Sequence, residues 1–132
     1  MDAAARDQIR QRAEGRCEYC RLPDWADEWP FHVDHILARV HGGEDQLRNL
    51  CWSCTQCNLH KSSNFASVDP DSGTRVDLFD PRTDNWAEHF SVGVDGQIVG
   101  LTPTGKATVR LLDMNGHPQL ELRRELIQQG QF

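Results

Sequence analysis

Apolar positions recur along the chain with two periods, and the change from one to the other marks the elements. Ala5, Ile9 and Ala13 fall at i, i+4 and i+8, which predicts a helix over 3–14 that Gly15 stops. A tight turn, Cys17-Glu18-Tyr19-Cys20, follows, and the stretch 21–30, with Pro23, Trp25, Trp29 and Pro30, reads as a loop with aromatic anchors. Phe31–Leu37 is a short β-like run, and Leu47–Trp52 a second strand. Between them His41-Gly42-Gly43-Glu44-Asp45 is a polar loop. Thr55–Ser63 is predicted as a helix leaving a second cysteine turn. Beyond residue 64, Asp69-Pro70-Asp71-Ser72-Gly73 is a turn cluster and Val76–Phe79 a strand. Asp95-Gly96, between Val92/Val94 and Ile98/Val99, signals a hairpin. Thr102-Pro103 opens a helix with Ala107, Leu111 and Met114 on one face, ended by Asn115-Gly116, and a last helix covers 118–129 through Leu122 and Leu126.

With 132 residues and neither repeats nor a long linker, the pattern implies one domain over 1–132. A hydrophobic fraction of 38% is on the low side, so a cross-link would help the core. The charged N-terminus does not look like a signal peptide, and no apolar run approaches the roughly 18 residues of a membrane span, so the expectation is a cytoplasmic protein without membrane contact. In a reducing compartment the five cysteines are expected to bind metal or to be buried, not to form disulfides. The net charge of −6 argues against tight nonspecific binding to nucleic acid, although the acidic excess lies mainly beyond residue 64, where ten acidic face six basic side chains.

Cys17-x2-Cys20 and Cys54-x2-Cys57 form two knuckles separated by 33 residues. Four thiolates suit a tetrahedral Zn2+, and a site with no open position stabilises and does not catalyse. Its contribution to folding would be on the order of 10 kcal/mol. The alternatives are a redox CxxC or simply buried thiols. Cys51 forms a further CxxC with Cys54, but pairing Cys54 with Cys57 starts the helix at the knuckle and leaves Cys51 as a buried strand residue.

Between the knuckles lie His32-Val33-Asp34-His35-Ile36, Asn49-Leu50 and Cys57-Asn58-Leu59-His60-Lys61. This order resembles the HNH endonuclease family, and the match covers 16–63. The tail, with Leu101-Thr102-Pro103-Thr104-Gly105-Lys106-Ala107-Thr108, is similar to one group of short bacterial HNH proteins. The resemblance implies an α+β fold: a ββα-metal, treble-clef-like core over about 16–64 with a structural four-cysteine zinc site, an N-terminal helix, and an α/β C-terminal extension over about 65–132. It implies a phosphodiester hydrolase acting on nucleic acid, DNA in the first instance, that leaves 5′-phosphate and 3′-hydroxyl ends. His35 corresponds to the general base, Asp34 and Asn58 to the ligands of a catalytic divalent metal, and Asn49 to a catalytic-loop residue that orients the histidine. Lys61 is expected at the phosphate, with Arg39 and Arg48 as further substrate contacts and Arg10, Arg12 and Arg16 next in line. Many relatives carry histidine at position 58, and some another four residues on, where this chain has Ser62.

The residue chemistry agrees with that assignment. A neutral imidazole can deprotonate water near pH 7, and a carboxylate with an amide oxygen suits Mg2+ or Mn2+ better than a softer ion. Asp34 and His35 are adjacent, however, so on a regular strand they point to opposite faces, and only the resemblance supplies a bend there. Bland readings stand beside the functional ones. Asp34 can cap a turn, Asn58 a helix, and Asn49 can be a turn residue. His32 is read as packing and His60 as facing away from the metal, while His41 is equally a phosphate contact or idle. A second class of function is a non-catalytic zinc-binding module for nucleic acid or protein; a third is a toxin or defence nuclease acting on RNA or on one strand. The extension is where a protein partner or a second copy would bind.

Overall fold

The structure, a computed structural model, describes residues 2–132. Helix α1 (Ala3–Arg12) begins at Asp2, whose carboxylate accepts from the Ala5 amide, and its buried face is carried by Ile9. Strand β1 (His32–His35) pairs antiparallel with β2 (Leu50–Ser53), setting Asp34 opposite Cys51 and His35 opposite Leu50. Helix α2 (Thr55–Lys61) follows at once, with the Cys54 sulfur accepting from the Cys57 amide as its N-cap. These three elements form the ββα unit anticipated from the sequence.

β2 is buried along its whole length because α1 and β1 cover it from different sides. Arg12 of α1 donates to the carbonyls of Leu47 and Leu50, anchoring the entry to β2. The first three residues of the expected second strand, Leu47–Asn49, instead form a 3-10 turn. That turn frees the Asn49 side chain to bond the opposite loop.

The extension adds two small hairpins and three helices: β3 (Ala66–Val68) with β4 (Arg75–Asp77), α3 (Trp86–His89), β5 (Phe90–Val92) with β6 (Ile98–Gly100), α4 (Pro103–Leu111) and α5 (Gln119–Gln128). The hairpin at Asp95-Gly96, the Thr102 N-cap and the last helix lie where the apolar pattern puts them. Two elements had no legible period. β3 is three residues long and only partly buried, and α3 is a single turn capped by Asn85.

One continuous apolar cluster runs from Ile9, Tyr19 and Trp52 in the N-terminal half to Phe79, Phe90, Leu112 and Leu126 in the extension. Polar bonds cross the same boundary: Trp86 Nε1 donates to the Tyr19 carbonyl at 2.8 Å, Arg82 pairs with Glu18, and Gln119 reaches Asp27. Arg123, fully buried, donates to the carbonyls of Gly96 and Met114 and so ties α5 to the hairpin and to the end of α4. No helix among the described residues is long and apolar enough to cross a membrane.

Asp24 is the knot between α1, the aromatic loop and β2. Its carboxylate receives Arg10 at 2.6 and 3.1 Å and Trp52 Nε1 at 3.1 Å. Burial works against its ionisation, but the bonds from Arg10 and Trp52 outweigh that and hold the carboxyl below the usual range. A carboxyl depressed in the folded state binds fewer protons there than in the unfolded chain. Its stabilisation is therefore complete above the unfolded value, near pH 4, and is lost as pH falls below it. Asp24→Asn is expected to cost about 1–3 kcal/mol in urea unfolding at pH 7, with the gap to wild type closing toward pH 3.

Candidate active site and four-cysteine centre

The knuckle turns bring Cys17, Cys20, Cys54 and Cys57 together, all buried, with their sulfurs within 4.8 Å of one another. Cys20 Sγ and Cys54 Sγ are 3.7 Å apart. A tetrahedral zinc with Zn–S bonds of about 2.3 Å would set its sulfurs roughly 3.8 Å apart, so the cluster has the size and donor set the ion requires. Burial opposes ionisation of Cys17, yet hydrogen bonds from the other three thiols outweigh it and draw Cys17 well below the ordinary thiol range. The resulting Cys17 thiolate in turn pushes Cys54 and Cys57 up. Without a cation the cluster cannot carry four negative charges, and with one it can. Cys51 stands apart from this group, buried in β2.

Asp34 leaves β1 toward the interior and is 7% exposed. Its Oδ2 accepts from the Tyr19 hydroxyl at 3.2 Å, and the Lys61 ammonium lies 3.2 Å away, with the Cys51 thiol at 3.8 Å. Oδ1 has no hydrogen bond among the described residues. Burial pushes the Asp34 carboxyl above the usual carboxylate range, against the pull of Lys61, Tyr19 and Cys51. Burial and the neighbouring acids also hold Tyr19 and Cys51 well above their ordinary values, so both remain protonated donors.

Lys61 is not where the sequence led us to expect it. Instead of reaching outward to a phosphate, it is 1% exposed, with its ammonium between Asp34 and the His35 carbonyl, which it meets at 2.9 Å. The reason is its place on α2: the face that packs on β1 buries the lysine stem, and the two acceptors on β1 take the charge. Lys61 is a brace from helix to strand. Asn58 lies one turn earlier on the same face and makes no side-chain hydrogen bond among the described residues.

His35 goes the other way. Its Nε2 lies 2.7 Å from Asp45 Oδ1, and Arg39 grips the same carboxylate at 3.0 and 2.7 Å. Hydrogen bonds from His35 and Arg39 hold Asp45 below the usual carboxylate range. An ionised carboxylate has only lone pairs to offer, so Nε2 carries the hydrogen and Nδ1 is the basic nitrogen. Asp45 was missed in the sequence because it lies in the polar loop ten residues beyond His35, and no spacing rule connects the two. Arg39, expected on substrate, is committed to Asp45, and Arg48 lies 3.9 Å from Glu44.

Asn49 touches backbone, not the imidazole. Its Oδ1 accepts from the Leu37 amide at 2.9 Å, and its Nδ2 donates to the carbonyls of Leu37 and Glu44. Its part is positional: it pins the chain that leaves His35. Strand pairing runs regularly through His35, and the bend that the resemblance places at Asp34–His35 comes at residues 36–37. Gly43 completes the loop, since a Cβ there would fall 1.7 Å from the Leu37 carbonyl oxygen. His32 bonds Thr55 at 3.0 Å, and His60 bonds the Gln56 carbonyl on the far side of α2. A cavity of about 520 Å3 opens beside the site, between Ile36, Leu37 and Lys61 on one wall and Asp77, Phe79 and His89 on the other.

Residues 17–64 match the family model described as HNH endonuclease. Neither a curated protein nor a solved structure matches the chain. The family match spans both knuckles, β1, the Asn49 turn, β2 and α2, the same elements that carry Asp34, His35, Asn58 and Lys61. Over residues 17–64, about a third of its length, this α+β chain is thus similar to HNH endonucleases, and its four-cysteine cluster has the donor set to hold zinc.

Proposed function

We propose that this chain is a metal-dependent endonuclease that hydrolyses nucleic-acid phosphodiester bonds, DNA first among them, with His35 as general base. The observation that carries this reading is the Asp45–His35 pair: a carboxylate at 2.7 Å from Nε2 leaves Nδ1 free to take a proton from water. Asp45 orients the ring and stabilises the imidazolium that forms, while Arg39 holds Asp45 and Asn49 holds the loop.

The reading assigns a divalent cation to Asp34 Oδ1 and the amide oxygen of Asn58, hard oxygen donors whose chemistry suits Mg2+ or Mn2+. When bound, such an ion supplies a positive charge against the phosphoryl oxygens and the departing 3′-oxygen. Tyr19, Cys51 and Lys61 all act on Oδ2 of Asp34, so they fix the carboxylate without using its other oxygen. The four-cysteine centre is read as a structural zinc site, because all four cysteines are buried and together fill a tetrahedral donor set.

On supercoiled plasmid with Mg2+ or Mn2+, His35→Ala is expected to lower kcat about 10²–10⁴-fold with folding intact. Cleavage by the variant at the wild-type rate would remove His35 from the chemistry. Loss of cleavage in wild type itself, with zinc bound and the fold intact, would favour a non-catalytic zinc-binding module. Asp45→Ala is expected to cost about 10–100-fold in kcat with KM little changed. Metal analysis should find one zinc per chain that survives mild EDTA. Its removal by a strong chelator, or by Cys54→Ser, should abolish the cooperative thermal transition, since the ion contributes on the order of 10 kcal/mol.

A further inference from the structure

A second cleft, of about 380 Å3, lies between the loop that follows His35 and the start of the extension. It is lined by His41, Asn64, Phe65, Val68 and Arg75, among others. Phe65 is 48% exposed, and the edge of the ring pair it makes with His41 fixes its orientation, with centroids 5.1 Å apart. Several cations of this acidic chain are paired with carboxylates: Arg10 with Asp24, Arg39 with Asp45, Arg82 with Glu18, Lys106 with Asp71. Arg75, exposed on β4 opposite Val68, has neither a carboxylate partner nor a side-chain hydrogen bond among the described residues.

Both walls of the cleft are tied to the candidate site. His41 ends the short turn that begins with Arg39, the residue gripping Asp45. Asn64 Nδ2 donates to the Lys61 carbonyl at 3.0 Å, and the Lys61 ammonium holds Asp34. Phe65 also lines the larger cavity, so it stands as a ridge between two spaces of opposite character. On one side are the carboxylates of Asp77, Asp80 and Asp84; on the other, Arg75 and His41. A phosphate is repelled by the first and attracted by the second, while an exposed aromatic face serves any base.

We propose that the cleft of His41, Asn64, Phe65 and Arg75 is a nucleotide subsite. It takes an unpaired nucleotide of the strand held at His35, stacking its base on Phe65 and pairing its phosphate with Arg75. The proposal rests on the endonuclease reading for the identity of the ligand. A base within a duplex keeps both faces stacked and cannot use Phe65, so the subsite favours single-stranded or locally opened substrate.

The test uses the full chain carrying His35→Ala, which holds substrate without cutting it, and fluorescein-labelled oligodeoxynucleotides, single-stranded and duplex, read by anisotropy. Adding Phe65→Ala is expected to weaken single-strand binding about tenfold, and Phe65→Trp to restore it. Arg75→Ala is expected to reduce the slope of log K against log salt by about 0.7, the share of one phosphate on a single strand. Val94→Ala, at an 88% exposed position of the other hairpin, serves as the control and should bind as the parent does. Unchanged single-strand affinity and salt slope in both cleft variants overturn the subsite, as does an equal loss on duplex and single strand for Phe65→Ala. Hydrolysis of bis(p-nitrophenyl) phosphate by the wild-type chain reports on the chemistry separately. If that small diester is cleaved while the cleft variants bind normally, the subsite fails and the endonuclease reading stands. If the oligonucleotide depends on Phe65 but no diester is cleaved, the reverse holds.

Discussion

Four thiols gathered within 4.8 Å bring together two chain segments that are 34 positions apart at Cys20 and Cys54. Everything that carries candidate chemistry lies between or just beyond those segments. β1, the Asn49 turn and β2 form the loop that the cluster closes, and α2 starts on its second knuckle. A chain whose hydrophobic fraction is 38% has little apolar surface with which to fix so short an α+β unit, and two-stranded sheets are marginal alone. A zinc ion held by the four thiolates would add a few strong bonds at one point to that modest core.

The cluster also reaches the site through side chains. Tyr19 stands inside the first knuckle and donates to Asp34, and Lys61 arrives at Asp34 from the helix that the second knuckle starts. The same carboxylate oxygen thus takes one bond from each arm of the cluster, while the other oxygen takes none. His35 is held independently, from the solvent side, by Asp45 and Arg39. Adjacent residues on a regular strand face opposite ways, and the protein uses this alternation to give the two groups different supports. The buried arm sets a carboxylate, and the exposed arm sets the tautomer of an imidazole.

What the sequence made legible follows from how local each signal is. The knuckle spacing, the Thr102-Pro103 helix start and the Asp95-Gly96 hairpin are fixed within four or five residues, and each lies where expected. The elements that carry Asp34, His35 and Asn58 were likewise legible, whereas Asn49, expected in a strand, lies in a 3-10 turn. The partners of these residues were not legible. Asp45 is ten residues from His35 and Tyr19 fifteen from Asp34, and only the folded loop brings them into contact. Lys61 has the sequence signature of a surface cation, and its burial depends on two acceptors on a strand that is 26 residues away. β3 stayed hidden because three half-exposed residues cannot show a period, and α3 because one turn cannot either.

Charge pairing bears on the apparent conflict between an acidic chain and the polyanionic substrate proposed for it. The affinity of a protein for phosphate backbone depends on cations that are free to displace counterions, not on net charge. Here Arg10, Arg39, Arg82, Lys61 and Lys106 face carboxylates, and Arg12 and Arg123 face carbonyls, so a count of basic residues overstates what substrate can meet. With the general attraction so reduced, grip must come from the site itself and from contacts that do not scale with charge. An exposed phenylalanine beside one uncommitted arginine is that kind of contact. On the reading proposed above, such a surface would hold nucleic acid weakly wherever the bases stay stacked and best where a strand is already open.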